Sequence, residues 1–325
     1  MAKPKAKTAS KAAQVVSKGV IGKTIIQHIA DSVDPFSKVS GKKIHDENSV
    51  NTFTTRLRSR TAMRTNTNGM GYLEVYPTIK TIQRGVDSGT PAFLTSGGSI
   101  SGAATFTEVD ANQYSTINTN AHKYRVVSYG IKVKCLDNAL NAKGMLHIRT
   151  LDKQNALNNV DVLQPSDDLV VVPISKDMDY IIVPAHTTGY GEFLEPSENY
   201  ATIDADNAQT NAFRCIGLTI LGAPGTEQDY LELDIVHNIE CMPIVGQLGQ
   251  LISTKAAPEH PHLKAAISNT RTNLPPVHKT GSFRDKLVSF AKQAATYAGE
   301  ALLGRAGSAL MKFLAPSSVP AIEVD

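Results

Sequence analysis

The chain has 325 residues, 41% apolar and 6% aromatic with no Trp, which suffices for a large domain with appended segments and excludes disorder throughout. Its net charge of +3 conceals an uneven spread: residues 1–64 carry 13 Lys and Arg against 4 Asp and Glu, and the remainder carries 20 against 26. A basic end on a net-acidic body points to an acidic partner for that end alone.

The first 64 residues read as a basic arm. Lys3, Lys5, Lys7, Lys11, Lys18 and Lys23 precede any acid, and Arg56, Arg58, Arg60 and Arg64 form a second block. A flexible polycation binds phosphate by releasing counterions, without sequence preference. Arg adds forked, bidentate donors to that. No Phe, Tyr or Trp falls within Lys3–Lys23 or within Arg56–Arg64, so base stacking is not the expected mode. The apolar stretch from Val15 to Ile29 is interrupted by Lys18, Lys23 and His28 and lacks a small-residue cleavage site, which argues against a signal peptide. Gly22-Lys23-Thr24 ends like a P-loop, but Ser17 stands where the first Gly is required.

From Asn68 to Pro243 the pattern has period two. Strands are expected over Tyr72–Ile82, more weakly over Ala104–Val109, then over Tyr129–Cys135, Met145–Leu151, Leu169–Ile174, Tyr180–Val183, Phe213–Leu221 and Leu231–Cys241. About eight short strands without a convincing helix among them predict an all-β, eight-stranded jelly-roll sandwich over 65–245. The long stretches Val86–Gly102 and His186–Asn211 exceed hairpin length and are expected to be surface or contact loops.

Residues 246–281 read as a Pro-rich linker, with Pro258, Pro261, Pro275 and Pro276. Residues 282–325 read as a C-terminal amphipathic helix and tail. Ser282 is its N-cap, with Asp285 three residues on, and Phe283, Leu287, Phe290, Ala291, Ala294, Ala298 and Leu302 share one face. Arg284 to Lys312 carries 5 basic and 2 acidic residues. Such a helix can pack on its own domain, pair with copies of itself, or lie on a membrane.

Catalytic constellations are missing: the chain has no G-x-S-x-G, no H-E-x-x-H and no Cys/His zinc spacing. His260-Pro-His262 lacks a third ligand nearby, and His147 and His237 fall in strands as structural histidines. Asp204 and Asp206 are the candidates for a structural Ca²⁺ between subunits, being hard ligands in a polar loop. The three cysteines, Cys135, Cys215 and Cys241, are far apart and odd in number, and no N-x-[ST] sequon occurs. Both features fit a reducing cytosol. The chain is therefore expected to be structural, without a cofactor or resident metal.

Basic arm, eight-strand domain and terminal helix together resemble the coat proteins of small icosahedral positive-strand RNA viruses, of the nodavirus-like and tombusvirus-like kind. The resemblance is carried by His122–Gly144, similar to the central strand, turn and next strand of those shells, and by Asp229–Pro243, similar to their last strand. It implies self-assembly into a shell, genomic RNA held by the arm, assembly in the host cytoplasm and residence in the virion. It further implies a C-terminal helix that is membrane-active in entry, released by cleavage after an Asn. Asn269 and Asn273 are the candidates, although Thr270 and Leu274 follow them where Ala is usual. A carbohydrate-binding sandwich with a basic tail, or a pore-forming protein, remain alternatives on the residues alone.

Overall fold

Side chains of residues 51–64 alternate between buried and exposed, Phe53, Leu57, Ser59 and Met63 inward and Arg56, Arg58, Arg60 and Arg64 outward. This is the period of a half-buried strand. The computed structural model describes residues 31, 34–38, 40–44, 50–80, 83–86, 93–94, 100–101, 106–138, 140–151, 169–184, 193–197, 213–225, 229–255 and 277–279. Its strands are β1 (Asn51–Arg64), β2 (Gly71–Val75), β3 (Gln83–Val86), β4 (Phe93–Leu94), β5 (Ile100–Ser101), β6 (Phe106–Val109), β7 (Ala121–Cys135), β8 (Met145–Leu151), β9 (Leu169–Pro173), β10 (Asp179–Ile182), β11 (Cys215–Leu221), β12 (Asp229–Pro243), β13 (Thr254–Lys255) and β14 (Val277–Lys279). Helix α1 (Tyr114–Asn120) follows β6 and α2 (Leu248–Ile252) follows β12.

One sheet has the order β13-β1-β12-β7-β10-β14 and the other β6-β3-β2-β11-β8-β9, with β4 and β5 forming a separate hairpin. All the strand pairings are antiparallel. The eight central strands, taken in chain order, pair as first-eighth-third-sixth and second-seventh-fourth-fifth. That is the jelly-roll order, two Greek keys folded into facing sheets. Leu57, Tyr129, Ile131, Val133, Leu231, Leu233 and Ile235 from one sheet meet Leu73, Val75, Leu146, Ile148, Ile216 and Leu218 from the other in a single core. Each such Leu, Ile or Val taken fully from water stabilises the fold by about 1.5–3 kcal/mol.

The two ends of the sandwich differ. At one end the connections are short, 65–70, 136–144, 174–178 and 222–228; at the other they are long, 76–120, 152–168 and 183–214. The 65–70 corner shows how the short end closes. Asn66 Oδ1 accepts from Asn68 N and Met70 N, each at 3.0 Å, and Gly69 takes φ +70°.

Several expected boundaries move. The arm expected to reach Arg64 gives way to β1 at Asn51. The expected strand over Tyr72–Ile82 ends at Val75, shortly before Pro77, whose missing N–H interrupts a ladder. The expected linker over 246–281 contributes α2, β13 and β14, the last two paired at opposite edges of one sheet. Of the long loops, the first holds the β4–β5 hairpin and the second lies mostly outside the described residues.

Candidate nucleic-acid interface

The outer face of the β1-β12-β7-β10 sheet carries the charge. Outward positions are Arg56, Arg58, Arg60 and Arg64 on β1, Glu232, Asp234, Asn238 and Glu240 on β12, and Lys132 and Lys134 on β7. Register sets these opposite one another: Glu232 faces Lys134, Asp234 faces Lys132, and Glu240 faces Arg125. The last pairing depends on an irregularity between Asn238 and Ile239, where the partner steps from Ser128 to Val126 and leaves Val127 extra. A one-residue bulge turns the remaining side chains over, and so brings Arg125 to the outer face.

The arginines are engaged. Arg58 Nε donates to both oxygens of Asp234, at 2.8 and 3.0 Å, and its terminal nitrogen also pairs with Asp234. Those bonds raise the Arg58 pKa, with the Asp234 charge adding to them. Arg60 Nε lies 3.1 Å from Glu232, and Arg64 Nε 2.5 Å from Asp229. The three side chains remain 61%, 68% and 53% exposed. Exposed pairs of this kind contribute only about 0–1 kcal/mol each, so a phosphate can compete for the outer donors.

Arg56 has a different task. It donates to Asn238 Oδ1 at 2.8 Å and to the carbonyls of Phe36, Ser37 and Ser40 at 3.4, 2.6 and 3.2 Å. It therefore fastens the segment 34–44 across the outer face of the sheet. Asn238, itself buried, gives its amide to Pro35 O at 2.9 Å and Ser128 Oγ at 2.8 Å. Ile44 N donates to Glu240 Oε2 at 3.2 Å, Thr52 Oγ1 to Glu240 Oε1 at 2.5 Å, and Arg125 pairs with Glu240 at 2.9 Å with both side chains buried. Lys43 reaches the carbonyls of Thr52 and Thr254 and Thr254 Oγ1. Burial pulls its pKa down and Glu240 partly restores it.

Lys38 and Lys42 on the strap are exposed, as are Arg58, Arg60 and Lys134 on the sheet it crosses. Reading the sequence for dense basic clusters passes over Lys38, Lys42, Lys132 and Lys134, which only the fold gathers. It also passes over Asp234, Asn238 and Glu240, whose signal is the alternation of polar residues along β12. Lys3, Lys5, Lys7, Lys11, Lys18 and Lys23 lie outside the described residues. So do the expected C-terminal helix with Phe283, Leu287, Phe290, Ala291, Ala294, Ala298 and Leu302, the candidates Asn269 and Asn273, and Asp204 and Asp206. Among the described residues, no helix is long and apolar enough to cross a membrane.

An eight-strand sandwich of this order belongs to the architectural class used by virus shells and lectin domains. No protein-family model matches the chain, and no curated protein matches its sequence. Among solved structures, the fold recurs in the T13 viral particle of infectious bursal disease virus, with TM-score 0.53, 10% identity, and coverage of 87% of this chain and 99% of that one. It recurs in the D431N mutant VP2 protein of the same virus, in derived T=1 particles, with TM-score 0.53, 9% identity, and coverage of 85% and 98%. The Gx strain of that virus gives TM-score 0.52 at 10% identity, covering 82% and 99%. At these identities the likeness is one of fold, and it does not single out the nodavirus-like or tombusvirus-like kind.

Proposed function

We propose that the chain is the shell subunit of a small icosahedral virus, a structural protein whose copies enclose genomic RNA. The observation that carries this reading is the strap: residues 34–44 are fixed to the outer face of one sheet. Residues 1–30, with Lys3, Lys5, Lys7, Lys11, Lys18 and Lys23, precede that anchor in sequence, on a face where Lys38, Lys42, Arg58, Arg60 and Arg64 are exposed. In this reading the face with the arm is the RNA side of the shell, contact is to phosphate, and the protein resides in the virion after assembly in the host cytoplasm. β14 pairs with β10 at an edge of the same sheet, and the segment 282–314 begins three residues beyond it. That proximity favours a C-terminal helix that joins the arm on the RNA side over one that acts on a membrane.

The test is expression of the full chain and of a form lacking residues 1–30, followed by electron microscopy and the ultraviolet absorbance ratio. The full chain is expected to give uniform spherical particles containing RNA. The shortened form is expected to fold but to lose most of its RNA, and its log–log salt slope on single-stranded RNA is expected to fall by up to about 4, the release from six lysines. Particles of the shortened form that retain full RNA would overturn the arm's role, and a full chain that stays monomeric would overturn the shell.

A further inference from the structure

We propose that α2 with the preceding turn is a contact surface for a second copy of this chain. The inference rests on the shell reading and names one of the surfaces through which copies meet. Residues 243–253, from Pro243 to Ser253, contain no charged side chain. Their chain folds back at Gly246 and then makes the short helix α2. Val245, Leu248, Leu251 and Ile252 are 85%, 69%, 83% and 62% exposed, four of the large apolar side chains that the described residues leave in water.

The exposure is built in. Gly249 is the buried residue of α2, and a Cβ there would stand 2.7 Å from Phe53 Cε1 and 3.3 Å from Asn120 O. The helix thus sits glycine-side down on Phe53, and its leucines have no inward face left to occupy. Ile244 N donates to Asn120 O at 3.0 Å, which ties the turn to the end of α1, and Gly246 N donates to Gln250 Oε1 at 2.8 Å, which closes the turn on α2. Ser115, Thr116 and Asn118 on α1 are exposed and uncharged. The result is a pre-ordered apolar centre whose own turn and helix carry no charge, with Lys255 and the Lys43 ammonium on Thr254 at its margin, the anatomy of an interface core with a polar rim.

Charge and area select the occupant. A centre without charge meets another copy of the same chain without like-charge cost at its core, while the cations at its margin stay in water. A membrane surface would call for cations on the helix, and Pro243–Ser253 offers none. The patch covers on the order of 400–600 Å², below the ~800 Å² per partner of a stable free-standing pair. Such a contact holds copies together when several act at once, as in a closed assembly. The expected partner is therefore a neighbouring subunit within a particle, and an isolated pair is not expected to persist.

The experiment uses the full chain with Leu248→Asp and Leu251→Asp together, read by analytical ultracentrifugation and electron microscopy, with circular dichroism melts as the fold control. Placing aspartates in a desolvated contact costs more than 1.4 kcal/mol per subunit, so particle yield is expected to fall by at least about tenfold at an unchanged melting temperature. Wild-type particle yield from this variant overturns the proposal. Should the melting temperature drop, the double Ser variant at the same positions replaces it under the same two outcomes. A photo-crosslinking benzoylphenylalanine at Leu251 provides the second arm. Adducts that join two copies, read as peptides linking isotopically light and heavy chains mixed before assembly, support the contact; adducts within one copy only, adducts to lipid, or no adduct, overturn it. If the wild-type chain forms no particles, the shell reading fails and this contact with it, whereas particles that form without an inter-copy adduct at Leu251 overturn the contact alone.

Discussion

His237 lies on the inward side of β12, fully buried, stacked on Tyr129 with ring centroids 5.3 Å apart and an interplanar angle of 7°. Its Nε2 is 2.7 Å from Tyr76 O, so one ring ties β12, β7 and the segment after β2 together. Burial lowers its pKa from 6.5 to about 4, with the Tyr76 hydrogen bond opposing that shift. In the unfolded chain the ring titrates at its ordinary value, so between these limits the unfolded state binds more protons. Stability is therefore complete above pH 6.5 and is lost as pH falls toward 4, by about 3 kcal/mol in full. Urea unfolding of wild type and His237→Gln at pH 7 and pH 4.5 checks this. The variant should be less stable at pH 7, yet its loss on acidification should be smaller than that of wild type by roughly 2 kcal/mol. Equal losses in both proteins would assign the acid sensitivity to other groups. The sequence already marks His237 as structural, since it interrupts an otherwise apolar alternation; its acceptor, 161 residues away, leaves no local trace.

At the scale of elements, β12 and β1 show what a sequence can and cannot disclose. β12 alternates Leu231, Leu233, Ile235 and Ile239 with Glu232, Asp234, Asn238 and Glu240, and this period predicts its course closely. β1 has the same period in weaker form, Phe53, Leu57 and Met63 separated by Thr, Ser and Arg. Its arginines read as a second block of the arm because a polycation and an outward sheet face share one composition. The distinction lies in the acids opposite, Asp229, Glu232 and Asp234, contributed by the far end of the domain. The turns obey local rules more strictly. Gly69 has φ +70°, and a Cβ there would stand 2.0 Å from Ala223 O, a backbone atom. Gly246 has φ +85° with open space around it. Gly246→Ala is expected to cost about 1 kcal/mol, the left-handed conformational penalty alone, and Gly69→Ala about 3 kcal/mol or more because the corner must also move. Denaturant midpoints of the two variants test the ranking, and equal losses would show that the 65–70 corner yields freely.

The whole molecule is a sandwich with one tight end, one elaborated end and a strap across one face. Composition discloses that the chain's first fifth is basic, but it does not separate the arm from the strap, because lysines occur in both. Packing separates them. Pro35 and Ile44 are buried, Asn238 and Arg56 bind the strap's carbonyls, and Glu240 accepts from its backbone. Removing residues 1–30 leaves each of these contacts intact and is expected to leave the unfolding free energy unchanged. Removing residues 1–49 returns the apolar surface under Ile44 and Pro35 to water and strips Asn238, Arg56 and Glu240 of partners. The expected loss is about 3–5 kcal/mol, from one or two buried side chains and several hydrogen bonds replaced by water. The loss stays below the cost of a truly orphaned ion pair because Arg125 still faces Glu240, and the newly opened face admits water. Chemical denaturation of the two truncated chains, under conditions where neither assembles, separates the cases. Equal stability would mean that 34–44 is arm rather than strap, and that the sandwich begins at β1.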